Sequence, residues 1–315
     1  MLYNSYSAHF AARFGSRVQK LSVNAGFTCP NRDGTVGVGG CSFCSNAAFN
    51  PSYCDPAKSI AQQIAEGVEF HRRRYRKAVK YLAYFQAYSN TYADLATLER
   101  RYRDALDCPD VIGIVIGTRP DCVDEAKLDL LAAIAAEGRY VAVEYGIESC
   151  YDRTLKLVNR GHDFACTRRA VEATAQRGLH CGGHLILGLP GESRADLVAE
   201  ADIVNSLPLN SIKLHQLQLL AGTRLAAQVM NGELEAEPFE LDDYIALVCD
   251  FVERLRPDMI VERFAGEVPP RHQADPDRAW RHADGRWVRN EEIPPMVEAE
   301  LRRRGTRQGF FISKF

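Results

Sequence analysis

A chain of 315 residues with 46% apolar and 25% charged side chains has the composition of a globular protein, long enough for one large barrel or two domains. Its net charge of −2 supplies no bulk attraction to nucleic acid or to an anionic membrane. Ten cysteines are scattered rather than set in a short secreted frame, residues 1–20 lack a signal-peptide core, and no apolar run is long enough to span a bilayer. A reducing cytoplasm and no membrane partner are therefore expected.

In chain order, residues 1–16 read as helical or irregular, and 18–25 alternate as a first strand. A helix is predicted over 59–77, with Ile60, Ile64 and Val68 on one face. Residues 79–88 form an aromatic strand, the polar turn Ser89-Asn90-Thr91 caps a helix over 91–106, and 111–116 is a short buried strand. Then come a helix over 124–137, a strand over 140–147, helical segments over 151–158 and 164–177, a strand over 181–187, a helix over 193–205 and a strand over 211–220.

Six strand–helix alternations argue a parallel sheet with crossover helices. After residue 222 the rhythm weakens. A helix over 239–255, a strand over 258–264, a Gly- and Pro-rich loop over 265–290 and a basic helix over 297–304 form a smaller C-terminal α+β region. The domain reading is thus 1–222 for the core with an N-terminal extension and 223–315 for the region packed on it.

The chemistry concentrates between the first strand and the first crossover helix, in CPNRDGTVGVGGCSFC at 29–44. Cys29, Cys41 and Cys44 are spaced C-x11-C-x2-C around four glycines, which makes a wrapping loop rather than a helix. Thiolates suit zinc, copper(I) or an iron–sulfur cluster. Three of them leave one iron of a [4Fe–4S] cluster open, whereas a structural zinc needs four ligands. Cys54 is the candidate fourth ligand of a zinc knuckle. The loop sits at a strand's carboxyl end, where parallel α/β folds collect their sites, and that placement favours the catalytic cluster. Phe43 would set an apolar ring beside the open iron.

This loop resembles that of radical S-adenosylmethionine (SAM) enzymes. The first spacer is longer than the common C-x3-C-x2-C and is similar to the branch containing the Elongator catalytic subunit, above all to the YhcC-like group. The resemblance implies a partial (β/α)6 TIM-like barrel, a [4Fe–4S] cluster chelating SAM, and reductive cleavage of SAM to a 5′-deoxyadenosyl radical that abstracts hydrogen.

Carried over by position, Glu148 meets the SAM ribose, Arg160 the SAM carboxylate, His184 a polar face of SAM and Ile186 the adenine. Gln86 and Ser89 fill the slot of the amine-binding motif. The residues alone also allow Glu148 as a helix cap, Arg160 in a surface ion pair, and His184, Ile186 and Trp287 as core groups. Arg119, Asp121, Arg263 and Trp287 are further candidates near SAM or substrate, and no catalytic residue is assigned.

An external one-electron donor such as flavodoxin or ferredoxin is implied. RNA, a transfer RNA base in particular, is the implied substrate, with weak agreement from basic stretches at 71–77 and 301–308. A small metabolite, or a non-catalytic zinc-stabilised RNA-binding module, are the alternatives.

Overall fold

The computed structural model describes residues 2–72, 78–236 and 238–312. Helix α1 (Tyr6–Phe14) precedes strand β1 (Val18–Val23), and the cysteine loop then leads to α2 (Ile60–Arg72). The alternation continues through β2 (Lys80–Phe85), α3 (Leu95–Leu106), β3 (Val111–Thr118), α4 (Glu125–Ala136) and β4 (Tyr140–Glu148). Two helices, α5 (Asp152–Leu157) and α6 (Phe164–Gln176), lead to β5 (His180–Leu187), followed by α7 (Arg194–Asn205) and β6 (Ser211–Gln216). Helices α8 (Arg224–Met230) and α9 (Leu241–Arg254) precede β7 (Ile260–Arg263), and α10 (Ile293–Arg304) ends the order.

All seven strands form one parallel sheet in sequence order. The chain is therefore a partial α/β barrel of the expected class. The strand expected over 258–264 proves to be its seventh, paired on β6. Short polar side chains start the crossover helices: Asp94, Asp124 and Asp163 each accept a hydrogen bond from the backbone N–H three residues on. Helix α3 begins at Leu95 rather than residue 91, because Asn90 is used otherwise. Its amide donates to the carbonyls of Phe85 and Gly117 at 3.0 and 2.7 Å and ties the ends of β2 and β3 together. The arginine-rich stretch 73–77 lies outside the described residues.

The outer face of the sheet is apolar and packs under the helices. Leu21, Phe85, Ile114, Ile116 and Val143 meet Leu98, Tyr102, Leu131 and Ile134 in one cluster, each large side chain contributing about 1.5–3 kcal/mol by leaving water. The inner face is different. Helix α1 plugs its lower end, where Phe10, 1% exposed, stacks on Tyr6 at 4.1 Å and meets Tyr140 edge-on at 5.2 Å. The sheet is open between β1 and β7. There the N-terminal segment joins β7 through Val261 N–H to the Asn4 carbonyl at 2.8 Å. Because every strand runs the same way, their carboxyl ends share one rim, and the loops that follow them converge there.

Candidate functional site

The cysteine loop is held on that rim by side-chain amides. Gly39 and Gly40 both have positive φ (79° and 82°), and Gly40 N–H bonds the Asn31 carbonyl at 2.7 Å. A Cβ on Gly40 would stand 2.9 Å from Arg32 Nε and push that side chain aside, and the positive φ strains any residue but glycine there. Asn31 Nδ2 donates to the Asn159 carbonyl at 2.6 Å, and Asn159 Nδ2 returns a bond to the Gly40 carbonyl at 2.9 Å. Ser42 N–H reaches the Val158 carbonyl at 2.9 Å. The loop is thereby docked on the turn after α5.

That turn carries Arg160. Its Nη1 lies 3.5 Å from Cys41 Sγ, with Asn31 Nδ2 3.6 Å from the same sulfur. Asn46 Nδ2 stands 3.7 Å from Cys44 Sγ. The other end of the guanidinium donates to the Gly146 carbonyl at 2.6 Å and faces Glu148 at 3.6 Å. Gly146 makes this meeting possible, since a Cβ there would fall 2.3 Å from Glu148 Oε1 and 2.8 Å from Arg160 Nη2. Glu148 adopts φ +67° at a register shift ending β4, a conformation costing about 1–3 kcal/mol that is characteristic of functional positions. Burial raises the Glu148 carboxyl, against the pull of Arg160 and Arg119. Arg119 is held bidentate by Asp121 at 2.8 and 2.6 Å.

The residues fit an iron–sulfur cluster better than a single ion. Buried Arg160 Nε, Arg119 Nη1 and Ser42 Oγ have no protein partner, and such orphaned groups around a loop of thiols await further acceptors. Among the described residues no three His, Cys, Asp or Glu side chains converge on one metal position. A four-iron cluster spreads its cysteines wider than one zinc does. Cys54 makes a contact of its own: its Sγ donates to the Ser22 carbonyl at 3.0 Å, and burial pushes the thiol up to about 12.

Phe43 and Ile186, far apart in sequence, join one apolar cluster with Val158, Leu189 and Leu217. Beside it opens a cavity of about 840 Å³, walled in part by Gly188, Leu217, Phe239 and Trp287. Trp287, expected in the core, is instead 37% exposed, with Arg281 5.5 Å over its ring. Gln86 Oε1 accepts from Ser22 Oγ at 3.0 Å, while Ser89 is buried behind the start of the cysteine loop, its N–H on the Thr28 carbonyl at 3.2 Å.

His184 belongs to a different arrangement, inside the barrel. Its Nε2 stands 2.8 Å from Glu144 Oε2, and burial drives its pKa down to about 4. Glu144 also pairs with Lys213 at 2.8 Å and with Lys20. Glu262 pairs with the same two lysines, at 2.7 and 2.6 Å. The four side chains form a closed ring of alternating charge, in which β1 and β7, the open edges of the sheet, are joined through Lys20 and Glu262. Sequence reading passed over this ring. Its signal was a lone formal charge in each of two buried strands, Glu144 in YVAVEYGI and Lys213 in SIKLHQ. A charge inside a strand covered on both faces requires a partner.

Comparison with known proteins gives the family. The radical SAM superfamily profile matches residues 27–204, and the radical SAM C-terminal domain matches 209–303. The chain is 39% identical to Escherichia coli YhcC over 267 residues, 85% of this chain and 84% of that protein. It is 26% identical to the tRNA uridine(34) acetyltransferase of Methanocaldococcus infernus over 163 residues, 50% of this chain and 29% of that one. The solved structure of Elp3 from that organism, lacking its N-terminus, superposes with a TM-score of 0.68 at 17% identity, covering 92% of this chain and 64% of the other. The family uses a [4Fe–4S] cluster and SAM. With three cysteines on the rim of a partial parallel barrel and a family match over most of its length, this chain is an enzyme of the radical SAM superfamily.

Proposed function

We propose that Cys29, Cys41 and Cys44 hold a [4Fe–4S] cluster with one iron left free of protein ligands, and that Arg160, Glu148 and Ile186 bind SAM beside it. Bound there, cluster and SAM supply one-electron cleavage of the sulfonium and hydrogen-atom abstraction from a substrate. The chain's own residues do the holding. Arg160 presents a guanidinium fork suited to the SAM carboxylate, and Glu148 offers acceptors to the ribose hydroxyls. Phe43 and Ile186 give the apolar contact and keep water out. Asn31 and Arg160 direct donors at Cys41 Sγ, where hydrogen bonds to the sulfur would tune the centre it holds. The observation that carries this reading is the approach of Arg160 Nη1 to 3.5 Å from Cys41 Sγ, across more than a hundred residues of sequence. A one-electron donor of the flavodoxin or ferredoxin type completes the scheme.

For the substrate, the tRNA uridine(34) acetyltransferase relative supports an RNA base. A second reading, a small metabolite, is favoured by the state of the basic C-terminal stretch. Arg302, Arg303 and Arg304 are each paired with carboxylates, Glu298 at 2.8 Å and Glu300 at 2.7 Å among them, which offset the positive charge of this stretch. Anaerobic protein with dithionite and SAM is expected to give methionine and 5′-deoxyadenosine, and Cys41→Ala to give neither. Equal products from both proteins would overturn the proposal. RNA binding whose affinity falls steeply with salt would select the RNA base.

A further inference from the structure

The charge ring inside the barrel balances itself, two lysines against two carboxylates. A fifth charge beside it does not. Between Ile212 and Lys213 the register of β6 and β7 shifts, so that Lys213 faces Arg263 directly. Consecutive residues of a regular strand point to opposite faces, but at such an irregularity both can point inward. Glu262 does so to meet the lysines, and Arg263 does so to meet His215.

Arg263 Nη2 lies 3.0 and 2.8 Å from the two ring nitrogens of His215. Burial, with Arg263 next in importance, drives that imidazole's pKa far down, so the ring is neutral. A neutral imidazole offers one acceptor nitrogen, so it satisfies at most one of the five N–H groups of a guanidinium. Nε is closed off with no partner, and Arg263 makes no ion pair among the described residues. Glu262, the acid beside it in sequence, is already held by both lysines.

Space remains around the group. Lys20, Glu262 and His184 keep 14, 12 and 17% of their side-chain surface accessible, so water reaches these groups in the barrel chamber. Glu262 and Glu144 act on Arg263 through space without a direct ion pair, so a buried cation with so few hydrogen-bond acceptors has room for an anion from outside the chain.

We infer that Arg263, steadied by His215, receives an oxyanion of the substrate, a carboxylate or a phosphate, inside the barrel. This inference rests on the radical SAM reading above and adds the class of molecule that enters the chamber. The neutral ring beneath, with Glu144 and Glu262 neutralised by lysines, presents no repelling carboxylate to it. His184, its ring 5.9 Å from that of His215, forms the side wall.

The test uses the full-length protein, purified anaerobically and labelled with ¹⁵N-arginine. The Nε–H resonance that disappears in Arg263→Lys identifies the group. Inorganic phosphate and acetate, each titrated against sodium chloride at matched ionic strength, are the probes. A saturable shift of that resonance by either anion, absent with chloride, is expected. A response to acetate alone assigns a carboxylate, and a response to phosphate alone assigns a phosphate. Arg263→Met should lose the rise in Tm that the same anion gives the unaltered protein, a second readout that does not depend on turnover. An Nε resonance that neither anion moves, or that chloride moves equally, overturns the inference. The two proposals fail separately. Unaltered protein that forms no 5′-deoxyadenosine from SAM refutes the radical chemistry, whatever Arg263 does. Protein that cleaves SAM while Arg263 ignores both anions refutes the oxyanion site alone.

Discussion

Substitution of Glu144 by glutamine tests the interior ring directly. Glu144 is 3% exposed and takes three donors: Lys20, Lys213 at 2.8 Å and His184 at 2.8 Å. Glutamine keeps the volume, removes one charge and turns one acceptor atom into a donor facing other donors. Two ammonium groups are then left over a single carboxylate, Glu262. Breaking a buried ion pair costs about 3–5 kcal/mol, and because Glu262 still bridges both lysines the lower figure applies, about 3 kcal/mol. For 315 residues with an unfolding entropy of about 2 cal/mol/K each, that is a fall of roughly 5 °C in Tm.

The loss should also depend on pH. Burial, with the charges of Lys20 and Arg263, pulls the Lys213 pKa down even with both carboxylates present, whereas at Lys20 the attraction of Glu144, Glu262 and Tyr84 outweighs burial and the pKa is raised. Without Glu144, Lys213 falls further. The unfolded chain then holds a proton that the folded one releases, so the variant recovers stability relative to the unaltered protein as pH rises from 7 towards 9. Urea unfolding at both pH values, with a double-mutant cycle through Lys213→Met, measures this. A Glu144→Gln variant within about 0.5 kcal/mol of the unaltered protein, or one with the same loss at both pH values, would refute the reasoning.

Cys29→Ala, Cys41→Ala and Cys44→Ala should each reduce iron from about four per chain to less than one, while Cys54→Ala leaves it unchanged, by iron and sulfide assay. Phe10→Ala should cost about 3–5 kcal/mol in urea unfolding, because the rings of Tyr6 and Tyr140 cannot close over the gap. Glu192, bonded by Ser149 Oγ at 2.5 Å, has its carboxyl pushed up to about 7 by burial. The folded protein there keeps a proton that the unfolded chain gives up near pH 4.5, so stability falls as pH rises to 7 and Glu192→Gln should exceed the unaltered protein by roughly 2 kcal/mol at pH 8. Equal stability of the two at pH 8 would show that burial does not hold that proton.

The amino-acid sequence by itself determined the alternation of strands and helices and the place of the cysteine loop. Both are local: hydrophobic period, glycines at turns and the spacing of Cys29, Cys41 and Cys44 need no distant contact to be legible. It also marked Glu148 and Arg160, through resemblance. Only the tertiary structure decided that Arg160 meets Cys41, because Asn31 and Asn159 exchange hydrogen bonds across residues that no pattern links. It likewise decided that Lys20, Glu144, Lys213 and Glu262 close a ring, and that a register shift turns Arg263 inward beside it. These side chains come from four strands, β1, β4, β6 and β7, and the charge of one has meaning only through the distance to the next. That distance is set by how far a seven-stranded sheet curls before its edges meet.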